Sequence, residues 1–206
     1  MEKSFLETKY LVTGTILLSS PTSAETIFFL LEQAKKLEVK VVIDLNWREV
    51  FWDLSCFSSE ISKVARVNLI KKFLNHANVL KLAREEATLF FDNENPLLIS
   101  QQLSNRPDVI ITDGEHPVSW YLNELQGITE IPTSHNIVDT TGAGDAFLAG
   151  LISKLITFGY PSNKIEVEDC IKFAGVCGLL TCLGEGAIEQ QPDYEKVNKI
   201  LGSLIS

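Results

Sequence analysis

The sequence predicts an α/β fold built on a mainly parallel sheet. Three observations lead there. Short apolar, β-branched runs alternate with longer stretches of helical period; the alternation continues over the first half of the chain; and polar groups gather where the apolar runs end. Strands and helices alternating at this spacing imply βαβ units with right-handed crossovers.

The elements follow in order. "YLVTGTILL" (10–18) is apolar and reads as a buried strand. "AETIFFLLEQAKKLE" (24–38) has apolar residues at helical spacing and reads as a helix. "VKVVIDLN" (39–46) is β-branched and reads as a strand. "SEISKVARVNLIKKFLNH" (59–76) is helical, with Ser59 as its cap. "NVLKL" (78–82) reads as a strand, "REEATLFF" (84–91) as a short helix, and "PLLISQQLS" (96–104) as another helix. "DVIITDG" (108–114) is a strand ending in a turn. "PVSWYLN" and "QGITEIP" flank a brief polar turn and read as a hairpin. Beyond Thr141 the pattern is helical over 142–159, 167–183 and 193–205. With no internal repeat and no linker, the expectation is one domain over residues 1–206.

Composition removes several function classes. The net charge is -9, so a nucleic-acid backbone would be repelled. No apolar run is long enough to span a bilayer. The cysteines, Cys56, Cys170, Cys177 and Cys182, form no CxxC, and buried reduced thiols in a cytoplasmic protein are expected. The histidines are scattered, with no zinc spacing.

In open parallel sheets, ligands bind beyond the carboxyl ends of the strands. Asp44, Asn46 and Arg48 follow the second strand, Glu85 and Glu86 the third, and Thr112 to Gly114 end the fourth. "NIVDTTGAGDAFLAG" (136–150) places glycines and a carboxylate where a helix begins. A Walker A loop needs a lysine that is absent here. A dinucleotide fingerprint needs a third glycine where Phe147 stands, and Asp145 would repel a pyrophosphate. Two readings stay open. Bare amides at a helix N-terminus can hold charge developing on a phosphoryl group, with Asp145 as the base for an attacking hydroxyl. Alternatively, Asp145 is a first-turn acid favoured by the helix dipole, and the small residues serve close packing.

"DTTGAGDAFLAGL" resembles the C-terminal signature of the PfkB, or ribokinase-like, sugar and nucleoside kinases. "VVIDLNWREVFW" resembles the D-x-N-x-R segment of fructokinase-like members, "VLKLAREEATLF" their N-x-x-E region, and "VIITDGEHPVSWY" the strand and turn that hold the nucleotide. "KFAGVCGLLTCLGEGA" resembles the helix and loop lining the adenine pocket. The resemblance implies a three-layer αβα fold and ATP-dependent transfer of a phosphoryl group to a sugar hydroxyl. It makes Asp145 the catalytic base and the amides of Gly142, Ala143 and Gly144 the anion hole. Glu86 would order Mg²⁺ through water; Thr112, Gly114 and Gly175 would contact the nucleotide; Asp44, Asn46 and Arg48 would face the sugar.

The match departs in places. Ala83 stands where N-x-x-E has asparagine, and Gly175 where the family often has asparagine. The similarity starts within the sheet, near Gly14 and Thr15, so the N-terminal lid and sugar-binding segment are expected to be missing. That leaves one sheet edge open to a partner or second copy, and little sugar turnover by the chain alone. A nucleotide-binding or regulatory fragment without activity is the alternative reading. A plastid location would follow from a longer precursor.

Overall fold

A computed structural model of the chain describes residues 7–52 and 60–203. The Ser59 cap, Cys56 and the end of the last expected helix lie outside those residues. Contacts divide the chain into two compact units, Met1–Ile111 and Thr112–Ser206, where one domain is expected from the sequence. Six strands are described, in the sheet order β1-β2-β3-β4-β5-β6.

In the first unit, β1 (Tyr10–Gly14) pairs parallel to β2 (Lys40–Asp44), and β2 parallel to β3 (Val79–Ala83). The run read as one long strand from Tyr10 breaks at Gly14, and Thr15–Ser19 form a 3-10 turn. The Thr15 hydroxyl explains part of the break: it donates to the Leu45 carbonyl at 2.6 Å, fastening this turn beyond the end of β2. Helix α1 (Pro21–Lys36) starts on a proline, whose missing N–H costs nothing at the first helical position. Its buried residues Ile27, Leu31 and Ala34 recur at helical spacing and form one stripe. Helix α2 (Glu60–Leu74) buries Ile70, Phe73 and Leu74 near its end. Helices α3 (Arg84–Phe91) and α4 (Pro96–Gln102) precede β4 (Asp108–Asp113). Strands β2 and β3 each bury four residues in a row, as strands covered on both faces do.

In the second unit, β5 (His116–Leu122) and β6 (Leu125–Thr129) form the expected antiparallel hairpin. Asn123 and Glu124 both take positive φ, 49° and 64°, the primed-turn geometry that matches strand twist. Trp120 is fully buried, its indole N–H donating to the Thr129 hydroxyl at 2.8 Å. Gly127 makes room for that ring, since a Cβ there would come within 2.5 Å of it. Helices α5 (Ala143–Phe158), α6 (Lys164–Thr181) and α7 (Tyr194–Ser203) complete the unit. Cys170, Cys177 and Cys182 are free and buried, as expected, and burial pushes the Cys177 thiol up to about 11.

Candidate active site

The glycine turn is built from the side chain of Asp139. One of its oxygens accepts from the Thr141 N–H at 2.9 Å and the Thr141 hydroxyl at 2.7 Å; the other accepts from the Gly186 N–H at 2.9 Å. These bonds hold the Asp139 carboxyl below the usual carboxylate range, the Thr141 N–H contributing most. Two further bonds run from the N–H groups of Val138 and Asp139 to the Cys182 carbonyl, at 2.9 and 3.3 Å. The chain then turns through Gly142, whose φ of 81° favours glycine. Space also requires it: a Cβ at Gly142 would lie 2.7 Å from the Ala187 Cβ.

Helix α5 starts at Ala143, so its first turn also contains the Asp145 amide. The Ala143 N–H donates to the Thr140 carbonyl at 3.2 Å, and the first intrahelical bond runs from Ala146 to Gly142. The N–H groups of Gly144 and Asp145 belong to the first turn and have no carbonyl within the helix to meet. The Asp145 amide is thus a site group that the sequence reading omits. The Asp145 carboxylate is exposed in that same turn.

A cavity of about 370 Å³ opens beside the turn, within the second unit. Thr112, Gly114, Ala143, Gly144 and Gly175 all line it, so the expected nucleotide contacts and half of the turn share one cavity. Gly114 has a φ of 57°, the left-handed geometry of the turn after β4. Gly175 has a second duty: a Cβ there would meet the Ile131 side chain at 2.6 Å, so this glycine also lets α6 approach the segment after β6. The walls added by the structure are largely apolar, among them Ile131, Phe147, Leu179 and Cys182. No motif marks Ile131; it enters through the hairpin's exit.

The first unit holds the remaining candidates. Asp44 is buried, and its two oxygens accept from the Lys81 ammonium at 3.2 and 2.9 Å. Its carboxylate therefore fits a structural duty better than the substrate contact expected from the resemblance. Lys81 was legible as a lysine inside an apolar strand; register places it opposite Asp44. Asn46 adopts a left-handed φ of 40°, and Arg48 is exposed. Glu85 is exposed. Glu86 is part-buried: one oxygen accepts from the Ala83 N–H at 2.7 Å, the other from the Trp47 N–H at 2.5 Å. Burial pushes its carboxyl up, Asp44 adding to the effect; the two N–H donors and Lys81 pull the other way.

Among the described residues no group of three or more His, Cys, Asp or Glu could hold a metal. Magnesium does not need one, because it keeps several waters and is usually held by one or two carboxylates and the substrate's phosphates. Each Glu86 oxygen keeps a lone pair beyond its backbone bond, which suits contact through water. The donor set fits a metal brought by a nucleotide.

Comparison with known proteins identifies the family. The family described as pfkB family carbohydrate kinase matches residues 1–193. A fructokinase of Salmonella thompson is 28% identical over 200 residues, covering 95% of this chain and 86% of that protein. The solved fructokinase of Xylella fastidiosa with bound ATP superposes with a TM-score of 0.84 at 22% identity, over 100% of this chain and 65% of that one. A putative ribokinase II of E. coli, solved with ATP and Mg²⁺, gives a TM-score of 0.80 at 18% identity, over 98% of this chain and 61% of that one. The chain thus spans less than two thirds of either solved chain, and it shares their ribokinase-like α/β fold. A signature turn built as described, in a chain matched from residue 1 to residue 193, places this protein in the pfkB family of carbohydrate kinases.

Proposed function

We propose that this chain carries the donor-nucleotide site and the catalytic base of an ATP-dependent sugar kinase of fructokinase type. One observation carries the reading: Ala143 and Gly144 line the same cavity as Thr112, Gly114 and Gly175, with Asp145 next in the turn. A largely apolar cavity suits a nucleobase, and the first turn of α5 suits phosphate oxygens. The relatives named as fructokinases and the neighbours solved with ATP, or with ATP and Mg²⁺, support this choice of substrates. The match over residues 1–193 supports treating the two units as parts of one kinase domain.

The chemistry follows from the turn. The N–H groups of Gly144 and Asp145, with that of Ala143 if it leaves Thr140, hold charge developing on the transferring phosphoryl group. The Asp145 carboxylate takes the proton of the attacking sugar hydroxyl. Bound Mg²⁺ would neutralise phosphate charge, and Glu86 is assigned to its water shell only by resemblance to the N-x-x-E region. Arg48 and Asn46 are assigned to the sugar side, by resemblance to the D-x-N-x-R segment.

Calorimetric titration tests the reading. Mg-ATP should bind the chain and its Asp145→Asn variant alike, and NAD⁺ more weakly. Wherever fructose turnover is measurable, Asp145→Asn should lower kcat by roughly 10²- to 10⁴-fold. Preference for NAD⁺ would refute the kinase reading, and near-normal turnover by the variant would remove Asp145 as base.

A further inference from the structure

Glu86 is the third residue of α3, where an acidic side chain commonly turns back to the N–H before the helix. One oxygen does this, at Ala83. Alanine has no acceptor to return the bond, so only half of a capping box forms. The second oxygen leaves the helix altogether. It accepts from the N–H of Trp47, 39 residues earlier in the chain. Trp47 lies between Asn46 and Arg48 in the segment after β2, outside any strand or helix.

The Trp47 ring gives that segment a second point of attachment to the same helix. It packs edge-on to Phe90 at 5.4 Å, one turn along from Glu86, and against Trp52 at 5.1 Å. The Arg66 guanidinium stands 5.6 Å from its centroid. Backbone and ring of Trp47 are therefore both tied to α3, and the left-handed Asn46 is held on one side of it and Arg48 on the other.

We infer that Glu86 is a positioning residue: its carboxylate fixes the backbone at Trp47 and thereby the orientation of Asn46 and Arg48. The inference rests on the kinase reading only in taking those two residues as sugar-side groups. It differs from the part that resemblance gives Glu86, ordering a hydrated metal. A carboxylate is required because both oxygens accept. A carboxamide offers one oxygen and one NH₂, so glutamine would set a donor against one of the two N–H groups.

Amide hydrogen exchange in protein free of nucleotide and metal tests this. The Trp47 N–H should be protected in the wild type although it lies in a loop, a measurement that needs no variant. Glu86→Gln should speed its exchange by roughly tenfold to a hundredfold, the loss expected for a bond to a charged acceptor, while exchange in β2 and β3 stays unchanged. Where sugar turnover is measurable, the variant should raise the sugar KM. An unprotected wild-type Trp47 N–H, or unchanged Trp47 exchange in the variant, would overturn the inference. Failure of the wild type to bind Mg-ATP would count against the kinase reading alone, because the exchange result stands without it.

Discussion

Lys81 and Asp44 carry a buried electrostatic liability in the first unit. Both side chains are over nine-tenths buried, and each compensates the other across β2 and β3. Removing one partner of such a pair strands a buried charge, at a cost of about 3–5 kcal/mol. Lys81→Met should therefore lower unfolding free energy by about that amount in a urea titration; a change of under about 1 kcal/mol would mean that Lys81 is not what compensates the Asp44 charge. Asp139 works differently, through hydrogen bonds at the surface. Its folded-state pKa is depressed, so its contribution is present above the unfolded value near 3.9 and is lost as pH falls through the lowered one. The Gly186 amide resonance, which reports the bond to Asp139, should titrate with a midpoint below about 3.9. A midpoint above that value would contradict the clamp. The sequence showed Asp139 two residues before a threonine, a pattern that makes Asx turns, yet nothing in the string indicated Gly186 as its other partner.

Most elements were legible because their periodicity is local. The short helix over Arg84–Phe91 and the hairpin fall where apolar spacing and turn residues put them. The strand from Tyr10 ran too long, because the bond from Thr15 to Leu45 that bends the chain spans 30 residues. Close contact between α5 and α6 was only half visible. The string suggested that Gly150 serves packing, but its neighbours come from the other helix. A Cβ at Gly150 would lie 2.7 Å from the Cys177 sulfur and 3.2 Å from the Ala174 Cα, and one at Gly178 would lie 3.0 Å from the Ala143 carbonyl oxygen. The helix that begins with the Gly142–Asp145 turn is thus seated by glycines on both sides of the α5–α6 contact. Overpacking such a contact costs about 1–3 kcal/mol. Gly150→Val should lower stability by that much in thermal unfolding and weaken Mg-ATP binding with it. Unchanged stability would show that α5 and α6 can separate freely.

At the scale of the whole molecule, the candidate residues that sequence proposed came from contiguous motifs: the turn at Gly142–Asp145, Thr112 with Gly114, and Glu86. The parts it hid depend on tertiary approach. The cavity wall at Ile131 is one, and the burial that turns Asp44 toward Lys81 is another. Within the second unit, the apolar cavity at the head of α5 is the part that the proposed function gives to a nucleotide, with its phosphates on bare amides. No helix among the described residues is long and apolar enough to cross a membrane. The most direct test of the central claim is a crystal structure of the chain with Mg²⁺ and a non-hydrolysable ATP analogue. The account predicts the base in the cavity lined by Ile131, Phe147 and Leu179, and the terminal phosphate oxygens within hydrogen-bonding distance of the Gly144 and Asp145 N–H groups. A nucleotide bound elsewhere, or one whose phosphates point away from the Gly142–Asp145 turn, would contradict it.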